Sequence, residues 1–127
     1  MFQFQMVELY TAEDGRAQFR ERDIPLSEGS ELARLSEIRP ASGMPFRRSP
    51  VGFRFDFHCS PKPQWVFILG GTMEIGLQDG TIRTFSPGSH FPSADTLPAG
   101  AEFDPNVHGH WSRQVGDEPL VPLFVKT

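Results

Sequence analysis

Three of the four histidines in this 127-residue sequence are spaced in a way that could build a metal site. His108 and His110 are two residues apart, so on a β-strand both side chains would project to the same side. With His58 they could supply three imidazole ligands and leave a coordination position open, as catalytic zinc or iron requires. The alternative is that one of the pair points inward while the other hydrogen-bonds a loop carbonyl. The fourth histidine, His90, follows a Ser-Pro-Gly turn and is interpreted as structural or exposed.

Two aspartates are the candidate acids. Asp95 and Asp104 lie in the segment 92–105, which is rich in Pro, Gly, Ala and Asp and is predicted to be a long loop. Loops of this length in a compact domain are usually functional or mobile. A carboxylate beside a histidine could act as a general base or orient the imidazole. Capping a turn is the structural alternative.

Side chains next to these groups are the candidate pocket residues. Trp65 follows Gln64, and Trp111 follows the histidine pair. Each tryptophan could line a pocket for a ring or an apolar substrate, although core packing is the favoured interpretation for Trp65. Cys59 adjoins His58, but neighbours on a strand point to opposite faces. A Cys–His nucleophilic pair is therefore not expected.

Short strands must position these residues. Val51 to Phe57 alternates between apolar and polar residues, which predicts a strand with one apolar face. Trp65 to Leu69 is a continuous apolar run, typical of a strand covered on both faces. Asp79-Gly80 predicts a two-residue hairpin turn in which both residues have positive φ. Further strands are predicted over residues 1–9, 18–26, 73–77, 82–85 and 119–125, and the spacing of Leu32, Leu35 and Ile38 suits either one helical turn or a strand.

Strand alternation raises one difficulty for His58. On an ideal strand it lies on the opposite side from Phe53, Phe55 and Phe57. Both sets could face one interior only if a β-bulge occurred near Cys59.

The composition favours an all-β protein and excludes several classes. Gly, Pro and Phe contribute 12 residues each, a pattern of turn residues and β-favouring aromatics. A net charge of −4 gives no reason to expect nucleic acid or an anionic membrane as partner. The basic pair Arg47-Arg48 is interpreted as part of a solvated loop. With a single cysteine, no signal-peptide pattern and no apolar run approaching ~20 residues, a soluble cytoplasmic protein is expected.

Two stretches resemble the motifs of the cupin superfamily. Residues 58–75, HCSPKPQWVFILGGTMEI, resemble the first motif, which runs from a histidine pair through an acidic residue to a turn glycine. Phe85-Ser-Pro-Gly88, with the later His108-Gly-His110, resembles the second motif, which ends in a histidine. Residues 10–19 and 116–124 are similar to one subgroup of small, uncharacterised single-domain cupins.

The resemblance implies an all-β double-stranded β-helix, a jelly-roll barrel, formed by a single domain over residues 1–127. Residues 1–50 would supply N-terminal strands and a dimer-pairing segment, and residues 51–127 the barrel with both motifs. The segment Phe2 to Leu9 would pair with the second subunit of a homodimer, and an exposed apolar edge strand is a liability unless it is paired.

The resemblance also implies a ligand set. With Gly71 at the motif glycine, His58 and His110 match ligand positions, Ser60 stands at the second histidine and Gln64 at the carboxylate. Ser and neutral Gln are weaker ligands for a divalent metal such as Zn, Fe, Mn or Ni. Asp95 matches the family's loop aspartate counting from Gly88, and Asp104 matches it counting back from His110.

The sequence therefore predicts a cupin that binds or transforms a small molecule, with a metal held by His58, His108 and His110. Oxygenase, isomerase and lyase chemistry are all compatible with these residues. The alternative is a metal-free barrel that serves as a binding or interaction module without catalysis.

Overall fold

The computed structural model describes residues 3–127, so Met1 and Phe2 of the predicted first strand lie outside the described residues. This part of the chain contains eleven strands and no helix. The strands are β1 (Gln3–Thr11), β2 (Ala17–Pro25), β3 (Glu28–Ser30), β4 (Ala33–Leu35), β5 (Arg54–His58), β6 (Gln64–Gly70), β7 (Thr72–Gly76), β8 (Ile82–Phe85), β9 (His90–Ala94), β10 (His110–Val115) and β11 (Val121–Lys126). Within residues 3–127 we therefore find no helix that could cross a membrane.

Two sheets enclose one core. The larger sheet has the order β11-β6-β9-β1-β2 and the smaller sheet the order β5-β10-β7-β8. Leu9, Ile68 and Phe91 from the larger sheet pack in one buried cluster with Met73 and Ile75 from the smaller. The prediction of an all-β jelly-roll fold is confirmed. β1 and β2 belong to the larger sheet, so the barrel includes strands that precede residue 51.

The two edges of the larger sheet differ. β11 is flanked by residues 43–49, a segment we call the strap, through bridges that pair Gly43 with Lys126, Phe46 with Leu123 and Ser49 with Leu120. β2 forms the other edge, and its inner neighbour β1 pairs with it from Gln3 to Thr11. On its other side β1 also pairs with β9, at Leu9 and Tyr10. Pairing between subunits stays a prediction.

Two local expectations can be compared with the structure. Of the two alternatives for the stretch around Leu32, the strand is present: β3 and β4 form a small separate hairpin, and Leu32 and Ile38 are almost fully exposed. The turn at Asp79-Gly80 is longer than two residues, because Gly76 pairs with Ile82. Only Gly80 has positive φ there, and Asp79 Oδ1 instead accepts a hydrogen bond from the amide of Thr81 at 2.9 Å.

Candidate functional site

A buried histidine–aspartate pair lies between the two sheets. His110 Nδ1 is 2.8 Å from Asp95 Oδ2, and the two side chains are 5% and 0% exposed. His110 begins β10, whose alternate residues His110, Ser112 and Gln114 face the interior. Asp95 directly follows β9 and continues its alternation of buried residues, after Phe91 and Ser93. Strand alternation therefore aims both groups at one interior point.

The carboxylate of Asp95 is fixed by further hydrogen bonds. Its Oδ1 accepts a hydrogen bond from the Thr11 hydroxyl at 2.7 Å, and Thr11 Oγ1 in turn accepts one from the amide of Thr96 at 3.0 Å. The carbonyl of Asp95 accepts a hydrogen bond from the amide of Ser60 at 2.8 Å. A carboxylate only accepts hydrogen bonds when ionised, so Nδ1 of His110 carries the proton of this contact and Nε2 is left as the basic nitrogen.

His58 faces the same interior because β5 contains a bulge. His110 pairs with His58, but Ser112 pairs with Phe55, so three steps along β5 match two along β10. The extra residue places Phe55 and His58 on one side, with ring centroids 4.1 Å apart. A bulge of the kind expected near Cys59 thus accompanies the inward position of His58, while Phe55 stays half-exposed and outside the cavity lining.

A glycine permits the close approach of these two strands. Gly109 has φ +86°, and a Cβ atom there would stand 2.6 Å from the carbonyl oxygen of His58. Glycine is therefore required for both its backbone conformation and its lack of a side chain. The result is a distance of 4.6 Å between the ring centroids of His58 and His110.

His58 is held as a neutral base. Its Nδ1 donates a hydrogen bond to the carbonyl of Asp56 at 2.7 Å, which leaves Nε2 unprotonated in the neutral ring. Burial lowers the pKa of His58, and the charges of His110 and Arg47 act in the same direction, whereas the Asp56 hydrogen bond and the charge of Asp95 oppose it.

These groups border a cavity of about 270 Å³ between the sheets. This volume is just below the usual size range of ligand pockets. The lining mixes polar side chains, Ser60, Ser93 and Ser112, with apolar ones that include Val66, Met73 and Phe91. The space suits a small molecule with both polar and apolar parts.

Arg47 also lines the cavity, which its interpretation as part of a solvated loop missed. Its guanidinium carbon lies 4.8 Å from the ring centroid of Phe53 and 5.1 Å from that of Phe124. The residue is on the strap, whose pairing with β11 was not visible in the sequence. An arginine pair in a Pro- and Ser-containing stretch carries no signal of burial.

His108 and Asp104 lie elsewhere. Asp104 is exposed, its amide donates a hydrogen bond to His108 Nδ1 at 3.0 Å, and its Oδ1 accepts one from the amide of Asn106 at 2.9 Å. The ring of His108 lies against Gly15, in the turn between β1 and β2. The predicted convergence of three histidines is thus not present, and of the two aspartates it is Asp95 that meets a cavity histidine. Asp104 caps a turn.

The tryptophans also lie outside the cavity. Trp111 alternates with the inward residues of β10, so its ring is on the outer face, over Gly76 and within 5.5 Å of the guanidinium carbons of Arg54 and Arg113. Trp65 borders an outer groove of about 400 Å³ beside β1. Neither ring therefore lines this cavity, and Trp65, for which core packing was favoured, is half-buried and outside the core cluster.

Gln64 and Cys59 do border the cavity. Gln64 Oε1 accepts a hydrogen bond from Lys126 Nζ at 2.6 Å, at the exposed end of β11. Burial raises the pKa of the Cys59 thiol to about 11, and the charge of Asp95 adds to this increase. A thiol with this pKa is protonated at neutral pH and is a poor nucleophile.

The donor set does not fit the metal that the family resemblance implies. Ser60 Oγ, at the position of the second histidine, is 3.0 Å from Ser93 Oγ in a buried hydrogen bond. Gln64, at the position of the carboxylate, is bound to Lys126. Across residues 3–127, His, Cys, Asp and Glu side chains form no group of three or more that could hold a metal ion. We therefore derive no step through a metal.

Comparisons with known proteins give structural likeness only. No protein-family model matches the chain, and no curated protein matches it. The cupin domain of Schizosaccharomyces pombe Cnp3 is similar over 98% of this chain and 84% of that one, with 16% identity and a TM-score of 0.45. A candidate mannose-6-phosphate isomerase from Ralstonia eutropha JMP134 is similar over 96% of this chain and 82% of that one, with 20% identity and a TM-score of 0.36. The fold assignment rests on the strand order, and no residue role is taken from either protein.

Proposed function

We propose that the cavity binds a small metabolite and that His110, oriented by Asp95, moves a proton to or from it. The buried hydrogen bond of 2.8 Å between His110 Nδ1 and Asp95 Oδ2 carries this proposal. A carboxylate in this position fixes the ring and stabilises the imidazolium that forms when Nε2 takes a proton.

His58 would complete an acid–base pair. Its lowered pKa keeps the ring neutral at pH 7, so its Nε2 accepts hydrogen bonds, while Asp95 holds Nδ1 of His110. Two imidazoles with different partners could accept a proton at one atom of a substrate and return it at another. This arrangement supports an isomerase or lyase reaction in preference to oxygen chemistry, which would need a metal that these residues do not fit.

Proton exchange at carbon provides the test. Small α-keto acids and hydroxyketones are incubated with the protein in D₂O, and deuterium incorporation is followed by proton NMR. We expect incorporation into at least one compound, reduced by about 100-fold or more in His110→Gln, since general-base catalysis typically contributes 10²- to 10⁴-fold.

His108→Gln is the matched control, because His108 lies outside the cavity and should leave the rate unchanged. The proposal would be contradicted if no compound exchanged deuterium faster with the protein than in buffer alone. Equal exchange rates in the His110 and His108 variants would also contradict it. The barrel would then be a binding module without catalysis.

A further inference from the structure

Arg47 is a cation with no acceptor in the described chain. Its Nε and Nη2 atoms are shielded from solvent and have no hydrogen-bond partner among residues 3–127. Within the same range, the ion pairs involve other arginines and none includes Arg47. Burial lowers the pKa of Arg47. Arg47 is half-buried, and shielded N–H donors without an acceptor are costly, so a bound acceptor would stabilise this arrangement.

The unpaired atoms have the geometry of a binding fork. Nε and Nη2 lie on one edge of the guanidinium, the edge that pairs with both oxygens of a carboxylate through parallel hydrogen bonds. The rings of Phe53 and Phe124 lie within 5.1 Å of the guanidinium carbon and restrict its orientation. The strap holds the backbone, since the Arg47 amide donates to the Pro122 carbonyl at 3.0 Å and the Ser49 amide donates to the Leu120 carbonyl at 2.8 Å.

The charge of the lining favours an anion. Besides Arg47, the cavity is bordered by the two imidazoles and by Lys126, and its lining contains no aspartate or glutamate among the described residues. Asp95 lies behind His110 and is already bound by it and by Thr11. The rest of the lining combines the polar side chains of Ser60, Gln64, Ser93 and Ser112 with an apolar group, Val66, Met73, Ile75, Phe91 and Phe124.

We propose that the ligand of this cavity is a small monocarboxylate with an apolar body, its carboxylate bound by Arg47 and its apolar part directed between the sheets. The cavity of about 270 Å³ limits it to a compact molecule. This inference rests on the proposed function, because it names the class of substrate for the same site. The carbon atom that exchanges a proton would then belong to a molecule bound at Arg47. That carbon would lie within reach of the rings of His58 and His110.

Matched acids and amides test this class. Butyrate and benzoate are compared with butyramide and benzamide by isothermal titration calorimetry at low chloride, with inorganic phosphate as a second anion. We expect each carboxylate to bind at least about 10-fold more tightly than its amide, since a charge-assisted bidentate contact is lost. Phosphate should bind more weakly than the carboxylates because it has no apolar part.

Arg47→Met retains the unbranched stem and removes the charge, and Arg48→Met on the neighbouring, exposed side chain is the control. We expect Arg47→Met to reduce carboxylate affinity about 10- to 100-fold, with a melting temperature within a few degrees of the parent, and Arg48→Met to change neither. Equal affinity of acids and amides, no binding of either acid at 10 mM (about 10 times a dissociation constant of about 1 mM), or unchanged affinity in Arg47→Met would overturn the assignment.

The two proposals fail separately. Loss of carboxylate preference with His110-dependent exchange intact would overturn only the ligand class. Carboxylate binding through Arg47 without any exchange would overturn only the proton transfer.

Discussion

His58 and His110 are paired directly across β5 and β10, and their ring centroids lie 4.6 Å apart. Each Nδ1 is engaged with an oxygen, the Asp56 carbonyl in one case and the Asp95 carboxylate in the other. Both Nε2 atoms are consequently left as the basic nitrogens of adjoining rings. A proton on one ring disfavours a proton on the other, so the pair is suited to hold a single proton.

The lowered pKa of His58 predicts a pH-dependent stability. Burial is the main cause, so the folded protein binds a proton at His58 less readily than the unfolded chain does. As pH falls through the unfolded value of about 6.5, the unfolded state gains protons first, and the free energy of unfolding decreases. Urea unfolding at pH 7.5 and pH 5.5 should show this decrease in the free energy of unfolding. The decrease should be smaller in the His58→Gln variant than in the parent protein. An equal loss in both proteins would contradict the prediction.

Replacement of Asp95 should be costly. Asp95→Asn removes a carboxylate with no exposed side-chain surface that accepts hydrogen bonds from His110 and Thr11, and we expect a loss of about 2–4 kcal/mol in the free energy of unfolding. Asp104→Asn is the control: its side chain is exposed and caps a turn, so the change should be below about 0.5 kcal/mol. Urea denaturation measures both, and similar losses would argue against a special role for Asp95.

Because β10 approaches β5 closely, we expect alanine substitution to lower the free energy of unfolding by different amounts at two glycines that share one backbone conformation. Gly109 and Gly116 have φ values of +86° and +85°, but only at Gly109 would a Cβ meet the backbone of His58. Gly116→Ala should cost about 1 kcal/mol from the left-handed conformation alone. Gly109→Ala should cost about 3 kcal/mol or more, because the strands must separate. Thermal unfolding would show the difference, and equal melting temperatures would contradict it.

The thiol of Cys59 should be slow to react. A pKa of about 11, compared with an ordinary value of 9.0, means about 100-fold less thiolate at neutral pH. Iodoacetamide labelling at pH 7.5, followed by mass spectrometry, should be slower by about that factor than labelling of the urea-unfolded protein. Labelling at equal rates would show that the thiol is not held in a protonated, buried state.

Much of the fold could be predicted because it depends on local patterns. The apolar run from Trp65 to Leu69 lies within β6, and the alternating stretch from Val51 to Phe57 forms a strand from Arg54 onward. The β3–β4 hairpin could not be predicted in the same way. Its side chains are exposed, so no burial pattern distinguishes a strand from a helical turn there.

The candidate site was predictable only in part. His58, His110 and Asp95 were identified by residue type, and their meeting depends on long-range pairing and on a bulge in β5. Nothing local assigns Asp95 rather than Asp104 to the histidine, because the choice is made by the continuation of β9. Arg47 was misinterpreted for a similar reason: its burial comes from pairing with a strand more than 70 residues away in the chain.

The hydrogen bonds between the strap and β11 have two structural effects. By pairing with β11 the strap covers a sheet edge that would otherwise be open to intermolecular β-addition, and the same hydrogen bonds fix the backbone of Arg47 beside the cavity. A substitution that weakens the pairing of the strap with β11 would therefore expose an aggregation-prone sheet edge. The same substitution would free the Arg47 side chain to move away from the cavity. Resistance to aggregation and the position of the Arg47 side chain therefore depend on the same set of hydrogen bonds.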